Sequence, residues 1–155
     1  MTATDVTLTG TTPTETSQQI ALRWATEGFK DRALRRELMT PDYIQHFCGA
    51  SQPMQGREVV NQFVDGTLHT GFPDIQQVVE DAFVQADKVA LRITYRGTHQ
   101  GYFLGIPPTQ RCIAVSANMI LRIADGKVAE EWTESNPLTW MQQLGAMDWL
   151  GQLAG

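Results

Sequence analysis

Along the first part of the chain, apolar positions recur at helical spacing. Ile20, Ala21, Trp24 and Ala25 form one stripe that runs up to Gly28, and such a stripe predicts a helix with one buried face. Its start is expected at Thr12-Pro13-Thr14-Glu15. There Thr12 can cap, Pro13 suits the first helical position, and Glu15 can reach back to complete a capping box. RALRREL, over 32–38, predicts a second short helix that stops before Pro41. From Arg57, the positions Val59, Val60, Phe63, Val64 and Thr67 predict a third, ended by HTGFPD.

Elsewhere the period is two. DYIQHFC, over 42–48, has the aromatic and β-branched content of a short strand, and 49–56 reads as a loop. IQQVVEDAFVQAD leads to a turn at Asp87-Lys88. VALRITYRGTH then alternates Val89, Leu91, Ile93 and Tyr95 against Ala90, Arg92, Thr94 and Arg96. CIAVSANMILRI is long enough to bend across a sheet, and Asp125-Gly126 in ADGK suits the positive φ of a type I′ hairpin turn. A helical tail over 138–153 follows. Three helices followed by strands on short turns imply an α+β fold, with helices segregated onto one face of an antiparallel sheet to make a cone.

Composition narrows the function classes. The 155 residues are 42% hydrophobic and 19% charged, which suits one domain, over 12–155. A Thr-rich, aromatic-free tail over 1–11 cannot bury enough apolar surface to offset its ordering, so it is expected to be disordered. The net charge is −5 and Lys and Arg are scattered, so the basic stripe of a nucleic-acid binder is missing. No uncharged apolar run approaches the ~20 residues that cross a bilayer, and the N-terminus lacks the basic and apolar regions of a leader. A cytoplasmic protein is expected. Cys48 and Cys112 lack paired spacing and read as reduced, buried, structural thiols. No two His stand at metal-ligand spacing, so a zinc or iron site is not expected.

Four segments together resemble the SnoaL-like polyketide cyclases of the nuclear-transport-factor-2 (NTF2-like) superfamily: GFPDI (71–75), GTHQGYFLGIPPT (97–109), ADGKVAEEW (124–132) and QQLG (142–145). Their order and spacing extend the resemblance over residues 17–145. It implies a curved antiparallel sheet on three helices, a deep apolar pocket, a homodimer or higher homo-oligomer, and chemistry without metal or organic cofactor. Members of the family close rings in aromatic polyketides by aldol condensation; relatives hydrolyse epoxides or assist hydroxylation.

The resemblance also assigns positions. Where the aldol cyclases carry Glu-His-Trp-Asp, this chain has Glu130-Glu131-Trp132-Thr133. Thr133 therefore stands at the place of the catalytic Asp, and a hydroxyl is no general base at neutral pH. Carrying over the family's His and Asp positions puts Glu131, Thr133 and Ser135 on the pocket face, with Glu130, Trp132 and Glu134 opposite. Glu131 is then either an acid–base group or half of an ion pair with an arginine such as Arg92 or Arg122. Glu130 and Glu134 read as solvated or oligomer-facing.

His46 matches a frequent pocket His, and with Tyr43 and Glu131 it makes up the expected catalytic set. His99 borders the pocket or holds its loop. His69 reads as structural, favouring a helix dipole. The remaining pocket candidates are Phe47, Met54, Phe63, Leu68, Phe72, Tyr95, Phe103, Met119, Leu121, Trp132 and Thr133. The expected ligand is a large, mostly apolar small molecule of secondary (antibiotic) metabolism. The first functional expectation is a cofactor-independent cyclase that folds its substrate for a pericyclic closure. The alternatives are an aldol cyclase using Glu131, an epoxide hydrolase or epoxide-opening cyclase, and a non-catalytic binding module.

Overall fold

Thr16, four residues beyond the expected cap, opens the first helix, α1 (Ser17–Arg23). Its hydroxyl accepts from the Gln19 N–H while the Gln19 side chain accepts from the Thr16 N–H, the reciprocal pairing of a capping box. Glu15 instead pairs with Arg23 at 2.5 Å. The computed structural model describes residues 14–147. Thr12, Pro13, the tail over 1–11 and the end of the C-terminal helix expected to reach 153 lie outside the described residues.

The three N-terminal helices follow the predicted stripes, with two local changes. α1 continues into a wide π-helical turn, Trp24–Gly28, and α3 (Arg57–Val64) into another, Asp65–His69. Beside each, a threonine hydroxyl takes the carbonyl four residues back: Thr26 to Leu22 at 2.8 Å and Thr67 to Phe63 at 2.7 Å. Such back-bonding competes with the helix ladder. Between them, α2 (Arg32–Leu38) is capped by Asp31, whose carboxylate accepts from Ala33 and Leu34. In α3 the buried stripe is Val60, Asn61 and Val64. Val59, expected in the core, is exposed.

The strands are β1 (Met39–Phe47), β2 (Met54–Gln55), β3 (Gln76–Gln85), β4 (Lys88–Thr98), β5 (Cys112–Ala124) and β6 (Lys127–Ser135). They form one sheet in the order β2-β1-β6-β5-β4-β3. β3 to β6 make an antiparallel meander, but β1 lies parallel to β6, so the sheet is mixed rather than wholly antiparallel. A parallel pair needs a long crossover, and here everything from β2 to β5 supplies it. A short helix, α4 (Pro137–Gln143), follows β6 under an Asn136 cap. Among the described residues no helix is long and apolar enough to cross a membrane.

The predicted alternation in β4 holds, and β5 alternates likewise: Val89, Leu91, Ile93 and Tyr95, with Val115, Ala117, Met119 and Leu121, are buried in one core with Ile20, Ala21, Trp24 and Ala25. Cys112 falls on the outward positions of β5 and is exposed, while Cys48 is half-buried; both thiols are free. The expected burial of Cys112 is thereby corrected.

One irregularity decides the site. The turn at Asp125 (φ 51°) and Gly126 (φ 70°) has the expected positive φ values, and Val128 pairs with Ile123 facing inward. Arg122 then pairs with Glu130, leaving Ala129 as an extra residue on β6. This bulge reverses the alternation, so Glu130 faces outward and Glu131 inward.

Candidate active site

Glu131 ends up in the interior at 2% exposure. The Tyr43 hydroxyl donates to Oε2 and the Thr133 hydroxyl to Oε1, and Gln45 Nε2 donates to Oε1 at 3.2 Å. Tyr43 and Gln45 are inward positions of β1, two residues apart, and the β1–β6 register sets Gln45 directly beside Glu131. Burial raises the Glu131 pKa; the bonds from Thr133, Tyr43 and Gln45 oppose it without cancelling it. Tyr43 is likewise pushed well above the usual phenol range, first by burial and then by the Glu131 charge. The result is a carboxyl whose proton is held more tightly than a surface acid's, the condition a general base near neutral pH needs.

Glu131 lines a cavity of about 30 Å³ between sheet and helices. Its apolar wall includes Phe29, Phe47, Val64 and Leu68, and its polar wall Arg35, Asn61, Gln45 and Gln77. Arg35 is 3% exposed and fully engaged by its surroundings. Its Nε donates to Asn61 Oδ1 at 2.5 Å and Nη2 to Asp65 Oδ1 at 2.5 Å; Nη1 donates to the Phe29 carbonyl at 3.2 Å and meets His69 Nε2 at 3.3 Å. Burial, then the Arg35 charge, holds His69 below the usual imidazole range. His69 thus serves as a neutral acceptor for Arg35, not as the cationic helix-end group expected from its position.

Other expected residues go elsewhere. His46 and Trp132 lie on the outer face of the sheet, opposite Glu131, so the catalytic placing of His46 and the pocket placing of Trp132 are both corrected. Their rings stack at 5.1 Å with an interplanar angle of 4°. His46 Nε2 donates to Glu130 Oε1 at 2.9 Å, Arg122 Nε donates to Glu130 Oε2 at 3.0 Å, and Lys88 Nζ sits 5.5 Å from the Trp132 ring centre. Arg92 pairs with Asp81 at 2.6 Å. Neither arginine considered for Glu131 reaches it, and Glu130 is an ion-pair member rather than a solvated acid.

Of the apolar candidates, Phe47, Leu68 and Tyr95 line the cavity, and Phe63 packs on Phe47 at 5.0 Å. Met54 packs against the core, and Met119 and Leu121 are buried within it. Phe72 and Phe103 lie away from the cavity lining, in an aromatic cluster with Trp140 of α4, which Tyr95 joins to the cavity wall at 5.5 Å between ring centres. His99 borders that cluster, 5.2 Å from Phe72. Its Nδ1 faces the Thr109 hydroxyl at 2.9 Å and accepts from the Thr109 N–H at 3.2 Å, the loop-holding role. The glycines of the family segments serve close approach there: a Cβ at Gly101 would stand 2.1 Å from the Thr70 carbonyl oxygen.

Gln45, Asn61, Arg35 and Gln77 were missed by sequence reading. Gln45 carried a usable signal, being flanked at two-residue spacing by Tyr43 and Phe47, and so did Asn61, a polar residue within the Val60–Val64 stripe. Arg35 gave none, since a basic residue on a charged helix reads as solvated. Among the described residues no cluster of three His, Cys, Asp or Glu is placed to hold a metal ion.

Sheet and helices close around the buried Glu131 carboxyl, whose pKa burial raises, in a cone-shaped, NTF2-like α+β fold. Residues 19–144 match the SnoaL-like polyketide cyclase family, and the chain belongs to that family. A SnoaL-like polyketide cyclase, so named provisionally, from Jannaschia sp. CCS1 is 31% identical with a TM-score of 0.78, over 88% of this chain and 97% of its own. IdmH of Streptomyces antibioticus, provisionally described as a polyketide cyclase, is 32% identical with a TM-score of 0.71, over 84% and 99%. AclR of Streptomyces galilaeus, provisionally described as a hydroxylase, is 28% identical with a TM-score of 0.71, over 84% and 96%. Among curated proteins none matches this chain.

Proposed function

We propose that the protein is a cofactor-independent cyclase that closes a ring in a polyketide-type intermediate, with Glu131 as the group that moves the proton. The observation that carries this reading is the buried carboxyl with its raised pKa, reached by three donors and lining the cavity. Ionised, Glu131 takes a proton from the carbon next to a substrate carbonyl; the resulting enolate carbon attacks a second carbonyl of the same chain, and the proton returns to the new alkoxide. Thr133 serves this step indirectly: its hydroxyl holds Glu131 in place of the acid the family keeps there.

The geometry favours this over the pericyclic closure expected first. A pericyclic closure moves no proton and would leave the buried Glu131 carboxyl, with its raised pKa and three donors, without a part in the reaction. An epoxide hydrolase would need a second free acid beside Glu131, and Asp65 is committed to Arg35 at 2.5 Å and Arg32 at 3.2 Å.

The test is to supply the linear intermediate that accumulates in a strain lacking the gene and to follow ring formation. The expected result is closure well above the buffer rate, falling about 10²- to 10⁴-fold in Glu131→Gln. No acceleration over buffer would overturn the cyclase reading. Turnover indifferent to Glu131→Gln would restore shape-driven closure, and a diol from an epoxide substrate would replace both.

A further inference from the structure

Four polar atoms around the cavity have no partner within the protein: the donors Trp24 Nε1 and Asn61 Nδ2, and the acceptors Gln45 Oε1 and Gln77 Oε1. Their residues are only 5%, 0%, 4% and 7% exposed. Buried polar groups are almost always paired, so orphans of both kinds on one small cavity point to an occupant that both accepts and donates hydrogen bonds.

Charged neighbours fix which atom of two amides is left over. A guanidinium can only donate, so Arg35 Nε at 2.5 Å claims Asn61 Oδ1 and leaves the Nδ2 hydrogens unclaimed. The Glu131 carboxyl accepts from Gln45 Nε2 at 3.2 Å, which leaves Gln45 Oε1 free. Arg35 is thus a positioning residue, itself held by Asp65, His69 and the Phe29 carbonyl.

We infer that this cavity is a hydroxyl-recognition subsite, taking an alcohol, phenol or enol oxygen carried on an apolar skeleton. A hydroxyl both accepts and donates. It accepts from Asn61 Nδ2 or Trp24 Nε1 and donates to Gln45 Oε1 or Gln77 Oε1. A carbonyl or ether oxygen engages only the donors and leaves both glutamine oxygens unpaired. The volume, about 30 Å³, holds one such oxygen; the carbon skeleton lies against Phe47, Val64 and Leu68 and must displace part of that wall. The inference deepens the cyclase reading and rests on it in one respect: an enol seated here presents its oxygen beside Glu131.

The experiment titrates the full chain with 2-naphthol, 2-methoxynaphthalene and naphthalene, following naphthalene fluorescence. A site built around a hydroxyl strongly rejects the analogue lacking it, and 2-naphthol is expected to bind at least about 100-fold tighter than its methyl ether. Asn61→Leu and, separately, Gln77→Leu are each expected to cut that preference below about tenfold, with circular dichroism checking that each variant folds. Equal affinity of the naphthol and its ether for the wild-type protein overturns the inference whether or not the variants fold. A preference that survives in both folded variants also overturns it. The two readings fail separately: hydroxyl preference without ring formation keeps the subsite and removes the cyclase, and ring formation without hydroxyl preference does the reverse.

Discussion

Glu130 and Glu131 are adjacent on β6 and face opposite sides of the sheet, and their carboxyls are driven in opposite directions. Burial pushes both upward. For Glu130 the bonds from His46 and Arg122 and the Arg122 charge outweigh burial and hold it below the usual carboxylate range. Glu131 receives bonds from neutral donors only, and burial wins. The difference shows what a counter-charge does at a carboxyl: the outer glutamate loses its proton more readily and suits an ion pair, while the inner one holds its proton more tightly.

The largest effect expected from this contrast is on catalysis. Glu130→Gln should leave ring closure within about twofold of wild type, while Glu131→Gln loses the 10²- to 10⁴-fold expected of a missing acid–base group. Matched kcat/KM measurements on the two variants check this. Comparable losses would show that the faces are not separate in function.

How much of this contrast could be read from the chain differs by level. The helices and strands were legible because periods of 3.6 and 2 are distinct over ten residues. The start of α1 was not, because Thr12 with Glu15 and Thr16 with Gln19 both fit a capping box in the sequence, and the helix opens at Thr16. The parallel β1–β6 pairing joins residues such as Gln45 and Glu131, 86 positions apart, and no local pattern encodes it. The facing of β6 hinges on Ala129. Counting inward positions forward from Val128 puts Glu130 in the cavity; counting back from Thr133, as the family resemblance directs, puts Glu131 there. The bulge reconciles the two. Asn61 was lost to a related ambiguity: Val59 and Asn61 flank Val60 on α3, and hydropathy favours the valine although the buried stripe takes the asparagine.

The next effect is on stability as a function of pH. Glu131, with its folded pKa raised above the unfolded value of about 4.3, contributes stability that is fully present below that value and is lost as pH rises through the folded pKa. Glu130, with its folded pKa lowered, contributes stability present above about 4.3 and lost as pH falls through its folded pKa. Urea unfolding of the wild type across pH should therefore show two limbs of opposite slope. Glu131→Gln should flatten the upper limb and Glu130→Gln the lower. If Glu131→Gln leaves the upper limb intact, its carboxyl does not titrate as its burial requires.

The smallest effect tests whether the outer cluster touches the chemistry at all. His46 stacks on Trp132 at 5.1 Å and donates to Glu130 at 2.9 Å, with its side chain 34% exposed. A half-exposed polar pair of this kind contributes roughly 0.2–1 kcal/mol, and an aromatic contact adds a similar amount. His46→Ala should accordingly cost about 1 kcal/mol in urea unfolding and weaken the hold on Glu130, so the lower limb of the pH–stability curve moves with it. The rate of ring closure should stay unchanged, because the sheet separates this histidine from the cavity. A loss of kcat approaching that of Glu131→Gln, at unaltered stability, would instead assign His46 to the reaction and require substrate to reach the outer face.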